Sequence, residues 1–107
     1  MKIRMSPNIA IRHKDYTAAV NFYTNVIGFE NRSSDSRLAD FDADSINLFV
    51  LEDDEFNGPV LEFFVSNLEE ARDYLVKNGC KVLRWRGKRQ DCYIQDPFGV
   101  IYNLWEE

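Results

Sequence analysis

The chain has 107 residues, about the length of one domain, and 45% of them are hydrophobic, so it can bury a core and is not expected to be disordered. Eighteen acidic residues against 13 basic ones give a net charge of −5. This balance argues against a nucleic-acid-binding protein, which needs a basic face. Neither a signal peptide nor an apolar run of the roughly 20 residues that span a bilayer is evident. The sequence therefore predicts a soluble cytoplasmic protein with no nucleic-acid or membrane partner.

The first half of the chain predicts one strand, one helix and three further strands. The first strand covers residues 8–13, and Asp15 can cap the helix that follows because its carboxylate accepts a free backbone N–H of the first turn. Gly28 is expected to end that helix. Apolar side chains at helical spacing predict its buried face: Ala18, Ala19, Phe22, Tyr23, Val26 and Ile27. The later strands are predicted at 29–32, 37–42 and 46–51.

The second half repeats this order. A strand at 60–65 is followed by Asn67 as a helix cap, with Glu70 three residues later as in a capping box. Gly79 ends the helix, whose predicted apolar face comprises Leu68, Ala71, Tyr74, Leu75 and Val76. Strands are predicted at 80–85, 90–95 and 100–105.

An offset of 52 residues aligns the two halves, pairing Asp15 with Asn67 and Phe41 with Tyr93. Caps, stops and turns agree in order, so the chain is interpreted as one domain over residues 1–107, made of modules at about 6–52 and 60–107. The predicted fold class is α+β. Two βαβββ modules would form an open, cup-like, eight-stranded mixed sheet with helices on its outer face.

Alternation along the strands predicts which side chains line the cup. If Asn8 faces the cup, so does Arg12; if Val60 does, so do Glu62 and Phe64; and if Asn103 does, so does Trp105. Two cysteines, Cys80 and Cys92, are too few for a disulfide scaffold. An apolar cup with a few polar anchors suits a small organic molecule. The predicted ligand-binding residues are Asn8, Arg12, Phe49, Glu62, Phe64, Asn103 and Trp105.

Three segments resemble the vicinal oxygen chelate superfamily, which includes glyoxalase I, bleomycin-resistance proteins and extradiol dioxygenases. They are "NIAIRHKDYTAAVNFYTNVIGFE", "LEFFVSNLEEARDYLVKNGCKV" and "DPFGVIYNLWEE". Together they cover nearly the whole chain. The resemblance implies that modules pair within a chain or across a homodimer, and a homodimer is expected here.

The resemblance also implies where a metal would be held. Enzymes of the superfamily place His, Gln or Glu at four positions, which correspond to Asn8, Leu51, Val60 and Asn103. Two neutral amides and two aliphatic groups are a poor donor set for a divalent ion. We therefore expect no metal, no cofactor and no catalytic residue at these positions. Glu62 is open to two interpretations: it contacts a ligand, or it pairs with an arginine or water.

The sequence favours a metal-independent small-molecule-binding protein of the glyoxalase/bleomycin-resistance type, which sequesters an antibiotic or another organic ligand in an aromatic-lined cup. Two alternatives stay open. The first is a divalent-metal-dependent enzyme with non-standard ligands, either a glyoxalase-like lyase or a dioxygenase. The second is an interaction domain that uses the same fold without a ligand.

Overall fold

The computed structural model describes residues 2–107, which form two compact units. We call Pro7–Pro59 the N-terminal unit, and the residues up to Ser6 together with Val60–Glu107 the C-terminal unit. Each unit has a mixed β-sheet with a helix packed on one face, so the chain has the predicted α+β fold. Neither helix within residues 2–107 has the length and apolar character that crossing a membrane requires.

The described residues contain nine strands, two α-helices and one π-helical segment. In chain order these are β1 (Arg4–Met5), β2 (Asn8–His13), α1 (Tyr16–Asn21), the π-helical segment (Phe22–Ile27), β3 (Glu30–Ser34), β4 (Leu38–Asp42), β5 (Asn47–Glu52), β6 (Gly58–Val65), α2 (Leu68–Lys77), β7 (Lys81–Trp85), β8 (Cys92–Gln95) and β9 (Ile101–Glu106).

Both units have the same strand arrangement. The N-terminal unit has the order β3-β4-β5-β2, with β2 parallel to β5 and the other pairs antiparallel. The C-terminal unit has the order β7-β8-β9-β6, with β6 parallel to β9, and β1 adds an antiparallel strand to β6. The predicted βαβββ pattern is therefore present twice, and β1 is an addition that the sequence did not indicate.

The predicted helix caps are confirmed. The Asp15 side chain accepts the Ala18 backbone N–H at 3.2 Å, and the Asn67 side chain accepts the Glu70 N–H at 2.9 Å. Gly28 follows the first helical stretch with φ +88°, a left-handed conformation that other residues rarely adopt. The short polar side chains thus set both helix starts.

The first helical stretch differs from the prediction in its second half. It continues from α1 as a π-helix, in which the Gly28 N–H bonds the Tyr23 carbonyl five residues back at 3.0 Å. Tyr23 in this segment still packs on the core. Ala18 is exposed, and Phe22, Val26 and Ile27 are 48%, 68% and 48% exposed, so the predicted burial of these four is wrong.

Each unit has its own apolar core between helix and sheet. In the N-terminal unit the buried members are Tyr16, Ala39, Phe41, Leu48 and Val50. In the C-terminal unit they are Val65, Leu68, Ala71, Cys80, Cys92, Ile94, Tyr102 and Leu104. On α2 the predicted apolar face was too wide, because consecutive residues lie 100° apart on a helix. Tyr74 and Val76 are exposed, while Leu75 packs on the core.

Candidate functional site

Four predicted site residues lie together on the C-terminal unit. The register of β6 with β9 places Glu62 beside Asn103, and Phe64 beside Trp105. Their neighbours along each strand pack on the α2 side, so these four side chains share the opposite face of the sheet. All four are half-buried. We call this set the polar–aromatic patch: one polar pair lies next to one aromatic pair.

Residues of β1 and the residue after it, Ser6, contact this patch. Ser6 Oγ donates a hydrogen bond to Glu62 Oε1 at 2.8 Å, and Ser6 itself is buried. The Arg4 guanidinium lies 5.2 Å from the centre of the Phe64 ring, where a cation is attracted to the aromatic face. Arg4 also forms an ion pair with Glu107. Glu62 is therefore positioned by a hydroxyl 56 residues away in the chain, for which the sequence has no signal.

Asn103 has a structural role in addition to its place in the patch. Its side-chain Oδ1 accepts the backbone N–H of Cys92 at 2.8 Å. Cys92 begins β8, and the next residue, Tyr93, pairs with Asn103 across the β8–β9 ladder. The Asn103 amide thus accepts the Cys92 N–H, which has no partner in the β8–β9 ladder. This role explains why an Asn stands among apolar residues in the last strand.

We predict that Asn103→Leu lowers the free energy of unfolding by about 1–3 kcal/mol, because it leaves the Cys92 N–H without its acceptor. Urea denaturation followed by circular dichroism measures the loss. Gln95→Leu is the control, since Gln95 bonds only an exposed carbonyl, and it should change stability by less than about 0.5 kcal/mol. Equal losses in the two variants would contradict this role of Asn103.

The other three predicted site residues lie on the N-terminal unit. Asn8, Arg12 and Phe49 share the sheet face that turns away from α1, because the register pairs Ala10 with Phe49 and Arg12 with Leu51. Their alternate neighbours belong to the core beneath the helix. The structure thus groups the seven predicted residues as four on one unit and three on the other.

A hydrogen-bonded chain fixes the orientation of Asn8. Arg32 Nη2 donates to Asn47 Oδ1 at 2.8 Å, and Asn47 Nδ2 donates to Asn8 Oδ1 at 2.8 Å. A guanidinium can only donate, so both amides must be oriented this way. The same Arg32 nitrogen donates to Asp40 at 2.7 Å. Asn8 Oδ1 is therefore already a hydrogen-bond acceptor within its own unit.

Arg12, one of the predicted ligand-binding residues, is buried and forms an ion pair with Asp53. The residue is 8% exposed, and its Nη1 lies 3.4 Å from Asp53 Oδ2 in the loop after β5. Asp53 in turn accepts the backbone N–H groups of Glu55 and Phe56 at 2.9 and 3.0 Å through its other oxygen. Arg12 therefore anchors this loop, an association that the sequence did not reveal.

The residues at the four metal-binding positions of the superfamily do not fit a divalent ion. Asn8 Oδ1 and Asn103 Oδ1 each already accept a hydrogen bond, and Leu51 and Val60 offer no donor atom. Within residues 2–107, no three or more His, Cys, Asp or Glu side chains are grouped so that they could hold a metal. Divalent ions need several charged oxygens or imidazole nitrogens, and these positions supply none.

Both cysteines are buried in the core of the C-terminal unit. Cys92 is fully buried, and burial raises the pKa of its thiol. Its Sγ donates to the Gly87 carbonyl at 3.2 Å. Cys80 lies 3.3 Å from the Tyr102 hydroxyl, and burial likewise raises the pKa of Tyr102. Cys92 is therefore a protonated core residue at neutral pH.

Comparisons with known proteins identify the fold. No protein-family model matches the chain, and no curated protein matches it. Solved structures do match. A glyoxalase/bleomycin resistance protein/dioxygenase superfamily member from Vibrio splendidus is 14% identical with a TM-score of 0.66, covering 99% of this chain and 100% of its own. A hypothetical protein from Bacillus halodurans is 16% identical with a TM-score of 0.67, covering 100% of this chain and 96% of its own.

A larger enzyme shows the same fold in part of its chain. Homoprotocatechuate 2,3-dioxygenase from Brevibacterium fuscum, solved with 3,4-dihydroxyphenylacetate, is 18% identical with a TM-score of 0.66. The match covers 99% of this chain but 37% of the dioxygenase. At these identities the likeness is one of fold. The chain has the fold of the glyoxalase/bleomycin resistance/dioxygenase superfamily, as the resemblance of its three segments predicted.

Proposed function

We propose that this protein is a metal-independent binder of a small organic molecule, of the kind that sequesters an antibiotic or a planar aromatic compound. The observation that carries the proposal is the donor set at the four positions where enzymes of this superfamily hold their metal. Two are aliphatic, and the amide oxygens of Asn8 and Asn103 already accept hydrogen bonds. A chemistry that depends on a bound divalent ion has no support from these residues.

The polar–aromatic patch supports binding of an organic ligand. Phe64 and Trp105 are neighbouring half-buried rings on which a flat molecule can stack. Glu62 beside them is a carboxylate that accepts from ligand hydroxyl or amino groups and is oriented by Ser6. Asn103 contributes its amide NH2 as a donor, while its Oδ1 accepts the Cys92 backbone N–H. A few polar groups beside apolar surface are typical of small-molecule sites.

Single-tryptophan variants test this proposal directly, because the chain has two tryptophans and Trp105 belongs to the patch while Trp85 does not. The Trp85→Phe variant keeps only Trp105, so its fluorescence reports on the patch. We expect that, among metal-free bleomycin and a set of planar aromatic compounds in buffer with EDTA, at least one compound quenches this fluorescence. The same compound should leave Trp105→Phe fluorescence nearly unchanged. Calorimetry should then show a Kd that is about two- to tenfold weaker in Trp105→Leu, for the loss of one aromatic contact.

Thermal shifts with metals separate the alternatives. Stabilisation by Ni²⁺, Zn²⁺, Mn²⁺ or Fe²⁺ alone, reversed by EDTA, would favour a metal-dependent glyoxalase-like or dioxygenase-like enzyme instead. Failure of the whole panel, with no response to metals, would favour the ligand-free interaction domain. The homodimer and the cytoplasmic location expected from the sequence stay predictions, which sedimentation and fractionation can check.

A further inference from the structure

The N-terminal unit contains a groove that the proposed function does not use. It has a volume of about 300 Å³, at the lower end of the range for small-molecule sites. Its walls are apolar and come from the end of β2, from α1 and from the start of the π-helical segment: Ile11, Ala18, Ala19, Phe22 and Tyr23. His13 and Asp15 form its polar edge.

The change from α-helix to π-helix shapes one wall of this groove. It occurs at Phe22, whose ring is 48% exposed and meets the Tyr23 ring edge to face at a centroid distance of 5.7 Å. Tyr23 is held from below by Phe29 and Phe41. The buried-side ring of Tyr23 and the exposed ring of Phe22 are therefore perpendicular to each other, with an interplanar angle of 88°. π-Helical turns are frequent at functional sites.

Hydrogen bonds hold both side chains at the polar edge of the groove. The backbone N–H of Asp15 donates to His13 Nδ1 at 2.9 Å, so the neutral ring carries its proton on Nε2. The Asp15 carboxylate accepts from the Ala18 N–H and is exposed. The edge therefore presents a fixed imidazole next to a negative charge.

The surroundings of His13 add more negative charge. A second pocket, of about 220 Å³, shares His13 with the groove and is lined by Lys14 and by the acidic loop with Asp54 and Glu55. Asp53 in this loop is matched by Arg12. Among the described residues that line the groove itself, none is Lys or Arg. A cation is therefore favoured at this end of the groove, and an anion is disfavoured.

We propose that this groove binds a hydrophobic organic cation, such as an aryl or alkyl ammonium compound. The apolar part of the ligand packs on Ile11, Ala18 and Ala19. Its charged nitrogen lies between the aromatic faces of Phe22 and Tyr23 and the Asp15 carboxylate, since both ring faces and carboxylates attract an ammonium group. The site uses other residues than the polar–aromatic patch, so it stands whether or not the proposed function does.

A pair of matched probes tests the charge preference. Benzyltrimethylammonium and phenylmethanesulfonate have similar size and opposite charge. In a ¹H–¹⁵N NMR titration we expect the cation to shift the amide signals of His13, Ala18 and Phe22 in a saturable way at millimolar concentration, and the anion to leave them unchanged. Equal binding of both probes would overturn the proposal. Shifts confined to Glu62 and Asn103 would overturn it too, by moving the cation to the polar–aromatic patch.

Two variants test the site residues. Asp15→Asn removes the charge but keeps a side chain that caps α1, and should weaken the Kd for the cation by about two- to fivefold, as expected for one exposed charge. Glu69→Gln on α2 is the control and should not change the Kd. Ala18→Trp fills the groove and should abolish the shifts, whereas Thr17→Trp, which leaves the groove open, should not. An unchanged Kd in Asp15→Asn would overturn the proposal even if Ala18→Trp fails to fold.

Discussion

Phe41→Ala should lower the free energy of unfolding by about 3–5 kcal/mol. Phe41 lies in β4, one of the two inner strands of the N-terminal unit, is 0% exposed, and contacts the Tyr23 ring at a centroid distance of 6.3 Å. Its removal leaves a cavity beneath α1 that neighbouring side chains cannot fill, because protein interiors are close-packed. Urea denaturation followed by far-UV circular dichroism measures the change.

The same variant tests our proposal that residues 1–107 fold as one domain. Both tryptophans, Trp85 and Trp105, belong to the C-terminal unit, whereas Phe41 belongs to the other. In a single cooperative domain, Phe41→Ala moves the tryptophan fluorescence transition to the same lower midpoint as the circular dichroism transition. Leu104→Ala, in the core of the C-terminal unit, is the matched control and should move both signals. If Phe41→Ala leaves the midpoint of the fluorescence transition unchanged, the two units unfold independently.

Asp53→Ala should also cost about 3–5 kcal/mol, because it breaks the buried ion pair between Arg12 and Asp53. It also removes the acceptor for the backbone N–H groups of Glu55 and Phe56, which hold the loop after β5 in its turn. Thermal and urea unfolding both measure this loss.

Two further substitutions in the same loop separate the causes. Asp53→Asn keeps a side-chain oxygen that can accept the Glu55 and Phe56 N–H groups but loses the negative charge. Its free energy of unfolding should therefore lie between those of the wild type and Asp53→Ala. Asp54→Ala, at an exposed neighbour, should change stability by less than about 0.5 kcal/mol. If Asp53→Ala were as mild as Asp54→Ala, Arg12 would not depend on Asp53.

Much of the fold could be predicted because local signals agree with the final structure. Asp15 and Asn67 cap the helices that they were expected to cap, and β2 has the predicted bounds. Helical spacing, however, cannot distinguish an α-turn from a π-turn, since both place apolar residues three to five apart. The exposure of Phe22 therefore had no sequence signal. A strand as short as β1 likewise has no periodicity to detect.

The candidate site was predictable only to the level of strand faces. Alternation placed Glu62, Phe64, Asn103 and Trp105 together because the register of β6 with β9 has no irregularity. What each side chain bonds depends on residues far away in the chain. Ser6 is 56 positions from Glu62, and Arg12 is 41 positions from Asp53. Such pairings follow from tertiary structure, which a single sequence does not reveal.

The pairing of β1 with β6 has a consequence for dividing this protein. The internal repeat suggests a cut near residue 60, yet residues before it contact the C-terminal unit. Ser6 donates a hydrogen bond to Glu62, and the Arg4 guanidinium lies 5.2 Å from the centre of the Phe64 ring. A fragment that starts at Val60 would lose both contacts. It would also expose the backbone N–H and C=O groups of β6 that pair with β1, and an unpaired strand edge of this kind promotes self-association. A cut at the boundary of the repeat therefore does not separate two self-contained halves, and a recombinant second half needs residues 2–6 attached to it.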